Sequence, residues 1–302
     1  AQIKVVPPTG ANLIADLQWV SNGGTGVILT WSAQLGQYDR ELWAQKFDFG
    51  GSPQWGDDGN GNPAPVKVYD GSDGEAMQYG YFPHFVLDGS GGAVFAWYTV
   101  GLNAASARVQ HLDATGAPAF AQNGVKLSTD TSRLHGPPAA AFDAASGSIY
   151  ALWPDADVGS QSQYTLYAQK VDASGAVQWG SEGKVLVPTS GTQVVQPVAL
   201  TADNGDLLAA WVTGTYPAPM PVHASRLAAA DGSAVWAQPV IDIATGARTT
   251  ARLQGVQSSN GFAAYVWRSG SANDDGDIVA QNLSQGGVPG NDTIFKNGFD
   301  GD

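Results

Sequence analysis

Five short apolar runs, each closed by a tryptophan, punctuate the chain. They read GVILTW to Trp31, GAVFAW to Trp97, GSIYALW to Trp153, GDLLAAW to Trp211 and GFAAYVW to Trp267. Successive tryptophans lie 66, 56, 58 and 56 residues apart. A second run follows each one at a steady distance: WAQKFD, RVQHLD, YAQKVD, HASRLA and VAQNLS. Its central residue is Gln45, Gln110, Gln169, Ser225 or Gln281. A glycine turn comes next and leads to Trp55, Phe120, Trp179 or Trp236, whereas the fifth copy has no aromatic there. Short runs such as VKVY, VKLS, KVLV and VIDI close the first four copies, and another apolar segment precedes every tryptophan run.

Runs of four to seven residues rich in Val, Ile and aromatics, bounded by Gly, Pro, Asp and Ser, are strand signals. No segment keeps a 3.6-residue apolar period long enough for a helix. Each copy therefore predicts four antiparallel strands. A four-stranded sheet with two apolar faces cannot bury both alone, and a ring of such sheets buries each face on its neighbour. The expected fold is an all-β, five-bladed β-propeller in one domain. Its blades fall at about 13–70, 81–128, 137–188, 196–244 and 250–302. Residues 1–6, through the IKVV run Ile3–Val6, are expected to complete the fifth blade and lock the ring. The five tryptophans read as packing between sheets, and the Gln series as bonded to turn backbone.

The pattern Gly-x-aliphatic-x-Ala-Trp, Tyr-Ala-Gln-x-x-Asp, Gly-x-x-x-Trp-Gly resembles a repeat of large exported bacterial proteins, from about Leu13 to Ser284. The Asp and Arg that follow the Trp in its fuller form are degenerate here, as in WSAQ and WYTV. The resemblance implies a propeller and no single activity. The C-terminal DTIFKNGFDGD resembles the Ile-Phe-x-Asn-Gly-Phe-acidic ending of secreted gammaproteobacterial proteins and implies export. The start at Ala1-Gln2 fits a removed signal peptide, so a secreted or cell-surface location is expected.

Charge narrows the partners. With 14 Lys and Arg against 27 Asp and Glu, the net charge is −13, and no three basic residues cluster. Nucleic acid and anionic membrane are excluded as partners on that ground. No apolar run is long enough to span a bilayer. The absence of Cys removes disulfides and thiolate chemistry. No nucleophile elbow, phosphate loop, zinc-protease motif or dinucleotide fingerprint occurs. A monomer is expected.

In a propeller, the loops between second and third strands ring the channel mouth. Here they supply Tyr38, Asp39, Arg40, Tyr98, Asp155, Asp157, Tyr164, Tyr216, Arg268 and Asp275. Aromatic rings stack on sugar C–H faces and carboxylates accept hydroxyl hydrogen bonds, so these residues predict a glycan or protein ligand. The favoured reading is an exported, lectin-like binding protein without catalysis. A glycoside hydrolase or lyase using mouth carboxylates is the alternative, and a structural surface protein a second one. Hydrolysis needs two facing carboxylates, and Asp16, Asp70, Asp73 and Glu75 make no clear set. No cofactor is certain. Calcium has three oxygen-rich candidate loops, Asp58 with Asn60 and Asn62, Asp274 with Asp277, and the PDAD run of Asp155 and Asp157; plain hydrogen-bonded turns are the alternative. His84 and His135 open neighbouring innermost strands and form a candidate transition-metal pair.

Overall fold

The computed structural model describes residues 9–56, 58–60, 62, 64–78, 80–102, 104–245, 248–258, 262–270 and 276–290. Among them there is no helix, and the chain is built from strands. Ile3–Val6 lies outside the described residues.

The first repeat is an antiparallel sheet of β1 (Leu13–Ser21), β2 (Val27–Gln34), β3 (Arg40–Phe47) and β4 (Val66–Tyr69), paired in that order. The second and third repeats contain β5 (Ala76–Met77), β6 (His84–Leu87), β7 (Ala93–Gly101), β8 (Ala104–Leu112), β9 (Val125–Lys126), β10 (Arg133–His135), β11 (Ala139–Asp143), β12 (Ser148–Asp157), β13 (Tyr164–Val171) and β14 (Lys184–Ser190). β10 pairs antiparallel with β12 and parallel with β8, so these two repeats share one ten-stranded sheet. The fourth repeat is β15 (Val194–Thr201), β16 (Leu207–Thr213), β17 (Val222–Leu227) and β18 (Ile241–Ala244). The fifth has three described strands, β19 (Thr249–Gln257), β20 (Phe262–Gly270) and β21 (Asp277–Ser284).

Side-chain alternation sorts each second strand into two faces. Trp153 and Ala151 pack against the repeat before, as do Trp211 with Ala209. Residues one and three places before the tryptophan pack on the repeat after: Ala96 and Val94, or Ala210 and Leu208. Trp97 and Trp267 follow the same rule. These clusters are the core, and the tryptophan-bearing second strands β7, β12 and β16 are buried on both faces along their apolar length. From the second repeat onward, the first strands β6, β11, β15 and β19 lie side by side.

The glutamine series holds the turns. Gln169 is fully buried; its Oε1 accepts from the Trp179 N–H at 2.9 Å and its Nε2 donates to the Gly180 carbonyl at 2.7 Å. Gln45 does the same for Trp55, and Gln110 for Phe120 and Ala121. The aromatic thus positioned seats on the glycine turn of the next repeat. A Cβ on Gly116 would lie 2.7 Å from Trp55 Cγ, and one on Gly232 2.8 Å from Trp179 Cδ2.

Every first strand breaks opposite its tryptophan. In β1, β15 and β19 the break is a bulge whose first residue has left-handed backbone: Asp16 (φ 53°), Gln196 (φ 53°) and Arg252 (φ 57°). In the second and third repeats it widens, splitting β5 from β6 and β10 from β11.

Candidate functional site

Most residues expected on loops stand on strand ends. Arg40 opens β3, Tyr98 lies in β7, Asp155 and Asp157 close β12, Tyr164 opens β13, Arg268 lies in β20 and Asp277 opens β21. Backbone pairing runs on past the apolar positions into polar ones, so β7 and β8 are separated by only Leu102 and Asn103. Tyr38, Asp39 and Tyr216 are in loops. Asp274 and Asp275 lie outside the described residues.

Two adjoining clefts gather five of these residues. One, of about 510 Å³, is walled by Tyr98, Leu134, His135, Asp155, Gln161 and Tyr164. The other, about 530 Å³, is walled by Tyr38, Arg40, Gln78 and Leu102. Val100 and Gly101 border both. Together they form a groove from Tyr38 to Tyr164. Asp39, Asp157 and Tyr216 line neither cleft, and Arg268 lines a third beside Arg252 on the last sheet.

The chemistry of the groove centres on β12. Asp155 is buried, and its Oδ1 accepts from Arg133 Nε at 3.1 Å and Nη2 at 2.5 Å. Its Oδ2 has no hydrogen-bond partner and lies 3.8 Å from His135 Nδ1. Burial pushes the Asp155 carboxyl above the usual carboxylate range in spite of Arg133. Asp157 is two residues on, so both side chains share one face of β12. Backbone N–H groups of Gln163, Ser160 and Ser162, each at 2.8 Å, hold the Asp157 carboxyl well below the usual range. Strand geometry spaces alternate residues by about 7 Å.

The groove tyrosines are fixed from behind. The Tyr98 N–H donates to the Tyr81 hydroxyl at 2.8 Å, and the two rings lie 4.6 Å apart. Gln193 Nε2 donates to the Tyr164 hydroxyl at 3.2 Å.

The two histidines do not make a metal pair. His135 Nε2 bonds to the Asp130 carbonyl at 2.9 Å and must donate, so Nδ1 accepts from Trp153 Nε1 at 3.2 Å. Both nitrogens are occupied. His84 Nδ1 accepts from the Ala140 N–H at 3.2 Å, and burial holds its pKa down to about 4. Asp58 accepts from the Asn60 and Asn62 N–H groups and from the Asn62 amide, an ordinary closed turn. Asp277 pairs with Arg248 at 2.6 Å. Among the described residues, no three His, Asp or Glu side chains are grouped to hold a metal ion.

Sequence reasoning missed Arg133, whose role appears only when β10 inserts beside β12. It also missed a buried network in which Arg108 bonds Asp73 and Glu75, and Lys126 reaches Glu75 at 2.7 Å.

No protein family matches the sequence, and no curated protein does. Solved structures do resemble the chain. A polysaccharide lyase described as an ulvan lyase superposes with a TM-score of 0.57 at 9% identity, covering 91% of this chain and 68% of that one. An α-L-arabinanase from Penicillium chrysogenum superposes at 0.52 and 11% identity, over 92% and 83% of the two chains. A Hadza microbial sialidase does so at 0.52 and 10%, covering 92% of this chain and 57% of the sialidase. The expectation of a non-enzymatic lectin-like protein is therefore corrected: these structural relatives are named as enzymes on carbohydrates, and the described chain shares their fold.

Proposed function

We propose that this protein is an exported, five-bladed β-propeller enzyme that hydrolyses a glycosidic bond in a polysaccharide, with the Tyr38–Tyr164 groove as its sugar site. The single observation that supports the reaction is the pair Asp155 and Asp157. They share one strand face beside the groove, and their environments push their pKa values in opposite directions. Two carboxyls driven apart in this way supply an acid and a base at one pH. Burial shifts Asp155 towards its protonated form, which makes it the acid of the pair, the group that gives a proton to the leaving oxygen. Asp157, kept ionised by backbone N–H groups, acts on water. Tyr98 and Tyr164 give the sugar rings faces to stack on, and Tyr38 extends the platform to further residues of a polymer. The likeness to an arabinanase and a sialidase supports the substrate class.

The test is a panel of polysaccharides, including arabinan, a sialylated glycan and ulvan, incubated with the protein and with Asp155→Asn and Asp157→Asn. New reducing ends with saturated products, lost in both variants, are expected. Products carrying an unsaturated uronate would reassign the reaction to elimination, and cleavage undiminished in both variants would remove the assignment of the pair.

A further inference from the structure

The fourth repeat holds three polar side chains that the sugar groove does not use. In β16, Thr213 stands two residues after Trp211 and on the same face. His223 of β17 pairs with Trp211, which sets it diagonal to Thr213, and Asp242 of β18 pairs with His223. Three adjacent strands thus bring a hydroxyl, an imidazole and a carboxylate into one row. Thr213 Oγ1 lies 2.7 Å from His223 Nε2, and His223 Nδ1 lies 2.7 Å from Asp242 Oδ1. The direction of these bonds follows from the carboxylate. Asp242 accepts, so Nδ1 of the neutral ring carries the hydrogen. Nε2 is then an acceptor, and its lone pair takes the bond from the Thr213 hydroxyl. The Trp211 ring lies 5.8 Å from the imidazole and backs it. A hydroxyl bonded to a base, with that base oriented by an acid, is the arrangement that activates an oxygen nucleophile.

The scaffold does not require these residues. The place of Thr213 is filled by Ala33, Thr99, Asp155 and Ser269 in the other repeats. The place of His223, opposite the tryptophan, is filled by Trp43, Arg108, Tyr167 and Val279. That of Asp242 is filled by Lys67, Lys126 and Val185 in the first three repeats. Thr213 and His223 open on a cleft of about 300 Å³ between the third and fourth repeats. Leu186, Val187, Pro188, Val240 and Trp211 make its walls apolar, and no Asp, Glu, Lys or Arg lines it. The hydroxyl of exposed Thr192 is a further donor on the wall. The sugar groove is one strand away, because Val194 borders that groove and is the cross-strand partner of Thr213.

We propose that Thr213, His223 and Asp242 form a second catalytic centre, which hydrolyses carboxylic esters of small apolar acids carried on a glycan. His223 Nε2 takes the Thr213 proton as Oγ1 attacks the ester carbonyl carbon. The Thr192 hydroxyl donates to the oxyanion. The bond from that carbon to the alcohol oxygen breaks, and the imidazolium gives its proton to the leaving alcohol. His223 then takes a proton from a water that attacks the acyl-threonine. The acid leaves, and Thr213 recovers its hydroxyl hydrogen from the imidazolium. Ester and water give acid and alcohol, and nothing else is consumed. The apolar walls hold the acyl group, and the adjoining groove holds the sugar. That the alcohol is a sugar rests on the groove's proposed function; the ester chemistry of Thr213 does not.

Nitrophenyl acetate and nitrophenyl butyrate contain no glycosidic bond, so they test the trio apart from the groove. Hydrolysis with saturation kinetics is expected. Thr213→Val and His223→Gln should lower kcat/KM about 10²–10⁴-fold, with Thr213→Ser active. Asp242→Asn should lower kcat and leave KM, since Asp242 orients the base without touching the ester; a raised KM at unchanged kcat would overturn that positioning role. A fluorophosphonate should lose fluoride to the Thr213 oxygen and mark its peptide, located by mass spectrometry, with no mark on Thr213→Val. Hydrolysis undiminished in both Thr213→Val and His223→Gln would overturn the centre. So would a fluorophosphonate mark missing from both the unaltered protein and Thr213→Ser. Acetate release from an acetylated polysaccharide should fall in the same variants. Nitrophenyl ester hydrolysis without any such release would overturn the sugar as the alcohol and leave the centre standing.

Discussion

Arg133 grips Asp155 with two nitrogens on one carboxylate oxygen, at 3.1 and 2.5 Å, and leaves the other oxygen without a partner. One strand, β10, brings the arginine to β12, and a groove borders the acid it holds. That arrangement separates fixing a carboxyl from satisfying it.

Removing the grip is costly. Arg133→Ala leaves a buried carboxyl unpaired, and loss of one partner of such a pair costs about 3–5 kcal/mol. Urea denaturation of Arg133→Ala should show a loss of this size, and Asp155→Asn a smaller one. Equal losses would mean that the charge on Asp155 is not what Arg133 serves.

Catalysis by the proposed pair has a signed pH dependence. Activity should fall as pH rises through the elevated pKa of Asp155, because its proton is then gone. It should fall again in acid as Asp157 protonates. Asp157→Asn should remove the acidic limb at low residual rate, measured as kcat/KM across pH.

Acid stability should depend on Glu75. Burial opposes its charge, yet hydrogen bonds from Lys126, Thr99 and Arg108 outweigh burial and hold its pKa at about 2. A carboxyl depressed in the folded state stabilises it above the unfolded value of 4.5. That contribution is lost as pH falls from there through about 2, and it is on the order of 3 kcal/mol. Glu75→Gln should flatten the stability curve over this range, followed by fluorescence-detected unfolding.

The turn glutamines carry a fold-wide load. Gln169→Ala strands the buried Trp179 N–H, worth about 1–3 kcal/mol when left unsatisfied, while the carbonyl of exposed Gly180 turns to water. Chemical denaturation should show a loss within that range or above it, and Gln169→Glu should recover only the acceptor half.

Gly232 tests the contact between repeats. Its φ is +72°, and a Cβ there would meet Trp179 and Lys184 within 3.0 Å. Gly232→Ala should destabilise by about 1–3 kcal/mol through overpacking and backbone strain. The equally left-handed Gly180, with nothing near its Cβ position, should lose less when changed.

The strands were legible because each obeys a local rule. Every tryptophan-ending run became a second strand, from β2 to β20, and VKVY became β4. The roles of the tryptophans and glutamines could be read because they recur. The breaks opposite the tryptophans could not, since Asp16, Gln196 and Arg252 are three different side chains in one unusual backbone conformation. Nor could the grip of Arg133 on Asp155, which needs a strand from the repeat boundary to insert between two others. The carboxylates Asp155 and Asp157 were visible as residues, but the opposing environments that set them apart are products of burial and loop closure.

The parity rule about each tryptophan has an evolutionary consequence. Any module of this chain carries one side that greets its predecessor and one that greets its successor, whatever its rank. A gene that gained or lost one whole module would still present matching partners at the new junction.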